Sequence, residues 1–360
     1  MVRDIEISNY KIFENLKLQG FNQINLIGGL NNTGKTTLLE AIFNAYDRLS
    51  WDIFLKPLVW RSGIPILNIS QEIWTPVFHN YEQNLSISLK LISEHNESSE
   101  LTFFKDNLDK SFAQTSVNDA ITTYSGNQKA NDRQALKLIY KKGDHIIQET
   151  ILYIEDNKIK TENKKLQEKN SILVQYLSSK TISPVKEAVA YGEILKVNME
   201  NTALKALQII EPELKNIIPV PEADGVTVLY GDIGFNSKIP IYNMGDGISR
   251  MLAYINAMVK CRNGIVLFDE IENGFHYTVH QKIWQIFLQL ARELNVQIFA
   301  TTHSLEMVRA FNEVSGYNGD FPFAYIELFK NPSNNRISGN IMNRETLLYK
   351  LKTGKPFRGE

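Results

Sequence analysis

The sequence predicts an α/β fold with a central, mostly parallel sheet, and three stretches carry that expectation. Gln23-Ile24-Asn25-Leu26-Ile27 alternates like a strand and leads through a glycine-rich turn into Thr37-Leu38-Leu39-Glu40-Ala41-Ile42-Phe43, whose apolar residues recur at helical spacing. Gly264-Ile265-Val266-Leu267-Phe268 is an apolar run of the kind buried on both faces of a parallel sheet, and it ends in Asp269-Glu270. Val296-Gln297-Ile298-Phe299-Ala300 is a third strand pattern, ending in Thr301-Thr302-His303-Ser304.

The glycine-rich turn is Gly29-Leu30-Asn31-Asn32-Thr33-Gly34-Lys35-Thr36, which fits G-x-x-x-x-G-K-[ST], the phosphate loop of nucleotide hydrolases. A strand, a glycine loop and a helix are the order its chemistry requires. Successive backbone N–H groups curl around a phosphate, and the helix N-terminus adds the positive end of its dipole. Gly29, Asn31, Asn32, Thr33, Gly34, Lys35, Thr36 and Thr37 are therefore the candidate nucleotide cradle. Within it, Lys35 is expected to reach the β- and γ-phosphates of ATP and the Thr36 hydroxyl to ligate Mg²⁺.

The acidic strand supplies the complementary chemistry. α/β sheets bind ligands at the C-terminal ends of their strands, where Asp269 and Glu270 stand. Asp269 is the candidate second metal ligand, and Glu270 the candidate base that orients or deprotonates an attacking water. His303, ending the next strand, is brought to the same sheet edge and is the candidate sensor of the γ-phosphate. Asn243-Met244-Gly245-Asp246-Gly247-Ile248-Ser249-Arg250 precedes a helical pattern over residues 251–260. Its two glycines either present N–H groups to an anion or simply turn the chain into the helix.

Composition bounds the rest. The chain has 360 residues, with 39 Lys plus Arg against 40 Asp plus Glu, so no overall basic excess argues for nucleic acid. The single cysteine, Cys261, excludes an internal disulfide framework and a cysteine metal cluster, and suits a reducing, cytoplasmic setting. No apolar signal core opens the sequence, and no run approaches the ~20 apolar residues of a membrane helix.

Four segments follow from these patterns. Residues 1–83 hold two or three strands and the phosphate loop. Between the first strands, Asn9-Tyr10-Lys11-Ile12-Phe13 sets a cation between aromatics, either lining a base or ribose pocket or forming a plain strand-edge turn. The stretch with Trp51, Trp60, Trp74, Pro57, Pro65 and Pro76 reads as a loop packed on the core. Residues 84–180 read as a β-rich subdomain, with Leu85, Ile87, Leu89 and Leu91 alternating and a polar excursion near Ser125-Gly126-Asn127. A further strand is expected over residues 171–178. Residues 181–224 read as a helical lobe, and 225–360 as the remainder of the core. That last part closes with a hairpin around Pro332-Ser333-Asn334-Asn335, a short helix, and a tail bearing Lys350, Lys352, Lys355 and Arg358. His276 and His280, four apart, have no convincing third partner as metal ligands.

Taken in order, the phosphate loop, the Gly245-Asp246-Gly247 helix start, the run Asp269-Glu270-Ile271-Glu272-Asn273-Gly274-Phe275-His276 and Thr301-Thr302-His303-Ser304 resemble an ABC-class ATPase head of the SMC/RecF/OLD type. The set is most similar to OLD-like AAA-family ATPases. The resemblance covers residues 1–45 and about 225–310. It implies a P-loop NTPase fold of the ABC type and ATP held between two heads, with residues 29–36 of one facing Gly245, Asp246 and Gly247 of the other. It further implies that Gly274 to His276 form the segment crossing between heads. The Leu-Ser-Gly-Gly-Gln of transporters is replaced here, which argues against a transporter subunit. Gln175 lies inside its strand pattern rather than at the end, so the family's metal-coordinating glutamine has no occupant.

The residues after Ser304 leave no room for the TOPRIM nuclease domain of OLD nucleases. The resemblance then implies a switch ATPase that is at least dimeric and acts with a separately encoded effector, such as a TOPRIM- or HNH-type nuclease or a toxin, as in phage-defence modules. The rival expectations are a DNA-maintenance ATPase that clamps duplex DNA, whose binding would weaken steeply with salt, and a scaffold holding ATP without turnover.

Overall fold

The computed structural model describes residues 1–47, 56, 73–107, 134–155, 158–163, 172–179, 182–317 and 323–353. Trp51, Trp60, Pro57, Pro65, the Ser125-Gly126-Asn127 excursion, Lys355 and Arg358 lie outside them.

Two sheets sandwich one helix. The six-stranded sheet has the order β16-β15-β3-β14-β13-β9. Its strands are β3 (Ile24–Gly29), β9 (Val174–Leu177), β13 (Ile265–Phe268), β14 (Gln297–Thr301), β15 (Phe323–Lys330) and β16 (Ile337–Met342). All neighbours run parallel except β16, which pairs antiparallel with β15 through the expected closing hairpin. The central strands alternate between two cores, as a sheet covered on both faces requires. Ile265 and Leu267 join the core shared with the phosphate-loop helix, whereas Val266 and Phe268 join the core on the opposite face.

The second sheet is wholly antiparallel, in the order β2-β1-β4-β5-β6-β7-β8. It comprises β1 (Val2–Tyr10), β2 (Phe13–Gln19), β4 (Ile87–Ser93), β5 (Ser98–Asn107), β6 (Gln134–Lys142), β7 (His145–Glu155) and β8 (Lys158–Asn163). The expectation of a separate β-rich unit over residues 84–180 is corrected in two respects. β1 pairs with β4 from Val2↔Ser93 to Ser8↔Ser88, so the first strands of the chain belong to this sheet. β9 leaves it and pairs with β13 instead. Both pairings are made over long sequence separations, which local periodicity does not register.

Helix α1 (Lys35–Tyr46) fills the space between the sheets, with Leu38, Leu39, Ala41 and Ile42 fully buried. The other face of the six-stranded sheet is covered by α4 (Asp246–Lys260), α5 (His280–Leu294) and α6 (Leu305–Tyr317), reached after α2 (Pro184–Lys196) and α3 (Glu200–Leu207). Ser183 caps α2, Asn295 ends α5 in a left-handed conformation, and the Ser304 hydroxyl accepts from the Met307 N–H to cap α6. A small antiparallel sheet, β10 (Asn216–Pro221), β11 (Thr227–Asp232) and β12 (Ile239–Pro240), leads into α4, and α7 (Arg344–Thr353) follows the hairpin. Among the described residues no helix is long and apolar enough to cross a membrane.

Candidate functional site

The strand, loop and helix of the phosphate motif are β3, residues 30–34 and α1. The loop needs its glycines. Gly29 has φ 135° and a Cβ there would lie 2.1 Å from the Leu328 carbonyl oxygen. Gly34 has φ 92° and a Cβ there would meet the Phe13 ring at 2.7 Å. Both positions require the left-handed freedom and the missing side chain that only glycine combines.

Lys35 is buried, and its ammonium donates to the Gly29 carbonyl at 2.9 Å and the Leu30 carbonyl at 2.7 Å. The lysine is thus folded onto its own loop. Burial pulls its pKa down to about 8, against the opposing pull of the Glu272, Asp269 and Glu270 carboxylates.

Parallel pairing of β13 and β14 with β3 brings the acidic strand and the histidine strand to the same edge as the loop. The Thr36 hydroxyl donates to Asp269 Oδ1 at 3.1 Å, joining the two expected metal ligands across most of the chain. Two further donors hold that carboxylate: Thr301 Oγ1 at 2.7 Å on Oδ1, and the Tyr176 phenol at 2.8 Å on Oδ2. Burial raises the Asp269 pKa, and these three hydrogen bonds work against it. Thr301 also accepts from the Glu270 N–H at 2.8 Å, so one hydroxyl fixes both acids of the motif.

Glu270 itself is half-exposed and has φ 50°. The Asn273 amide donates to its Oε2 at 2.7 Å, and His303 Nε2 lies 4.0 Å from its Oε1. Burial, with Lys35 nearby, lowers the His303 pKa against the opposing pull of the Glu272, Glu270 and Asp269 carboxylates. The backbone N–H of His303 donates to Glu272 Oε1 at 2.6 Å, and Glu272 Oε2 is buried with no hydrogen-bond partner among the described residues. Glu272 therefore ties the segment after the acidic strand to the histidine.

A cavity of about 890 Å³ opens above the loop, lined by Asn31, Asn32, Gly34, Lys35, Thr36, Thr37 and His303, and on its far side by Lys11, Ile12, Pro76 and residues 78–81. Its volume is within the roughly 300–1,000 Å³ typical of small-molecule and cofactor sites. Of the sequence-predicted residues, the structure brings together the phosphate loop, Asp269, Glu270 and His303. Gly245, Asp246 and Gly247 do not line that cavity. Gly245 has φ 112° and starts α4, and Gly247 packs so closely on the segment after the acidic strand that a Cβ would lie 2.8 Å from the Gly274 carbonyl oxygen. Arg250 donates to the Ser179 carbonyl, tying α4 to the end of β9. Gln175 stands inside β9, its Oε1 buried without a partner among the described residues. The neighbouring Tyr176 is the residue of that strand that reaches Asp269. His276 pairs with Thr278, and His280 is buried at the start of α5; among the described residues no cluster of three or more His, Cys, Asp or Glu side chains is placed to hold a metal.

Sequence patterns assign no role to Tyr176, Thr301, Glu272 or Asn273, which the structure places around Asp269, Glu270 and His303. The last three sit within motifs whose spacing marks them, but Tyr176 carries no local signal.

The fold and the site define a P-loop nucleoside triphosphatase of the ABC type, with phosphate loop, acidic strand and histidine converging at one sheet edge. The chain belongs to the family described as "AAA domain, putative AbiEii toxin, Type IV TA system", whose model matches residues 24–309. It is an ATPase of the AAA/ABC class. A protein of Helicobacter pylori named "ATP/GTP phosphatase" is 23% identical over 367 residues, covering 87% of this chain and 88% of the relative. The uncharacterized protein MJECL10 of Methanocaldococcus jannaschii is 30% identical over 101 residues, 26% of this chain and 43% of that protein. Among solved structures, an Smc head bound to the C-terminal winged-helix domain of ScpA covers 97% of this chain and 99% of its own, with a TM-score of 0.50 and 11% identity. That likeness is one of fold.

Proposed function

We propose that the protein is an ATP-driven switch. ATP binds in the cavity over the phosphate loop, two copies close on it, and hydrolysis reopens them to control a separately encoded effector. The observation that carries this reading is that Lys35, Thr36 and His303, from distant parts of the chain, line one cavity, with Asp269 hydrogen-bonded to Thr36 and Glu270 beside His303.

The residues have distinct tasks. The N–H groups of residues 32–37 and the Lys35 ammonium bind phosphates, and phosphate oxygens take the place of the Gly29 and Leu30 carbonyls as acceptors for Lys35. Thr36 and Asp269 offer hard oxygen donors side by side, which fits Mg²⁺. When bound, Mg²⁺ neutralises charge on the β- and γ-phosphates. Glu270, held by Asn273, orients the attacking water and takes its proton, and His303 offers a ring N–H to the γ-phosphate. Gly245, Asp246 and Gly247, outside this cavity, are the residues a second copy would present to it.

Single-turnover hydrolysis of a Glu270→Gln variant tests the chemistry. Trapped ATP and a stronger ATP-dependent dimer are expected; hydrolysis at the wild-type rate would refute the role of Glu270. Mass measurement after co-expression with candidate effector proteins, with and without ATP, tests the output. A nucleotide-dependent complex is expected, and a protein that stays alone under all conditions refutes the switch.

A further inference from the structure

The wall of the cavity opposite the phosphate loop carries an unusual backbone. Among the described residues, every non-glycine residue with positive φ is asparagine except three: Lys11 (φ 50°), Tyr81 (φ 62°) and Glu270 (φ 50°). Asparagine visits this region readily, whereas a tyrosine there stores strain that the surrounding structure must hold in place. Glu270 is the proposed base. The other two, Lys11 and Tyr81, both line the nucleotide cavity.

The surroundings explain how the strain is held. The Lys11 N–H donates to the Val77 carbonyl at 2.9 Å, and His79 Nδ1 lies 2.8 Å from the Lys11 carbonyl oxygen. Tyr10 bridges Phe78, and Trp74, Val77 and Phe78 are buried beneath. The β1–β2 turn and the turn at residues 78–81 are thus clamped together. A carbonyl oxygen only accepts, so His79 Nδ1 carries a proton and donates to Lys11. Tyr81 is 67% exposed, and its ring stacks on no other aromatic ring among the described residues.

We propose that Tyr81 is the platform on which the nucleobase of the bound triphosphate stacks, and that the site accepts purine nucleoside triphosphates with little discrimination between adenine and guanine. The inference rests on the nucleotide reading of the cavity. Stacking on an aromatic face is tolerant of base identity, because every base offers a π face.

The test compares dissociation constants for ATP, GTP and inorganic triphosphate, each with Mg²⁺, in wild type, Tyr81→Asn, Tyr81→Phe and Lys35→Ala. Asparagine tolerates the left-handed backbone, so Tyr81→Asn removes the ring while keeping the turn. Expected are similar ATP and GTP affinities in wild type, about a tenfold loss of both in Tyr81→Asn, unchanged inorganic triphosphate binding there, and near-wild-type behaviour of Tyr81→Phe. Wild-type ATP affinity in Tyr81→Asn, with ATP binding lost in Lys35→Ala, overturns the platform but leaves the nucleotide site standing. Wild-type ATP affinity in Lys35→Ala overturns the site itself. Equal loss of inorganic triphosphate in Tyr81→Asn, or strong preference of wild type for one purine, also overturns the proposal.

Discussion

Replacing Thr301 with valine removes a hydroxyl at nearly constant shape from a residue that is 1% exposed. Two interactions go with it: the donation to Asp269 Oδ1 at 2.7 Å and the acceptance from the Glu270 N–H at 2.8 Å. A hydrogen bond to a charged group contributes roughly 1.5–3 kcal/mol, and the part-buried Glu270 N–H loses a neutral hydrogen bond of about 1 kcal/mol. Asp269 keeps Tyr176 and Thr36, so the combined loss should be about 3–4 kcal/mol. At roughly 2 °C per kcal/mol for a chain this large, the melting temperature should fall by about 6–8 °C.

The pH dependence has a definite sign. Burial has already raised the Asp269 pKa above its ordinary value, so ionising this group on folding costs stability as pH rises through the folded-state pKa. Thr301→Val raises that pKa further. The deficit should therefore be largest at neutral pH and narrow as acid protonates Asp269 in both proteins. Thermal melts of wild type, Thr301→Val and Thr301→Ser across this range check the reasoning. Thr301→Ser keeps the hydroxyl and should recover most of the loss. A Thr301→Ser variant as unstable as Thr301→Val, or a Thr301→Val melting point within 1 °C of wild type, would refute the assignment of the stability to these hydrogen bonds.

Three other outcomes follow from the same geometry. Lys35 has a pKa lowered to about 8, and a bound triphosphate adds negative charge that raises it again; ATP binding should therefore take up a proton above about pH 8 and weaken as pH rises further, and calorimetry at pH 8.5 in buffers of different ionisation enthalpy would show no uptake if this is wrong. Gly247→Ala drives a Cβ to 2.8 Å from the Gly274 carbonyl oxygen, on the same segment as Glu270 and Asn273. It should cost about 1–3 kcal/mol by overpacking and slow hydrolysis, and unchanged melting and turnover would count against that contact. Tyr176→Phe deletes one donor to Asp269 and should cost about 1.5–3 kcal/mol in denaturant unfolding; a loss below 0.5 kcal/mol would mean that the phenol contributes little.

The sequence by itself determined the elements whose signals are local. Gly29, Gly34, Lys35 and Thr36 announce the phosphate loop because its backbone shape and chemistry are confined to eight consecutive residues. Asp269-Glu270 and His303 are legible because an apolar run marks a buried strand and its end marks a sheet edge. The closing hairpin and α4 are legible for similar reasons of turn chemistry and period. Tertiary structure alone decided what depends on pairing between distant segments. It placed β1 and β2 in the large antiparallel sheet, moved β9 beside β13, and so delivered Tyr176 to Asp269. It joined Lys11 to residues 77–81 through hydrogen bonds across some seventy positions, giving the cavity its second wall. Strand partners are chosen by which faces bury together, and that choice leaves no periodic trace in either strand on its own.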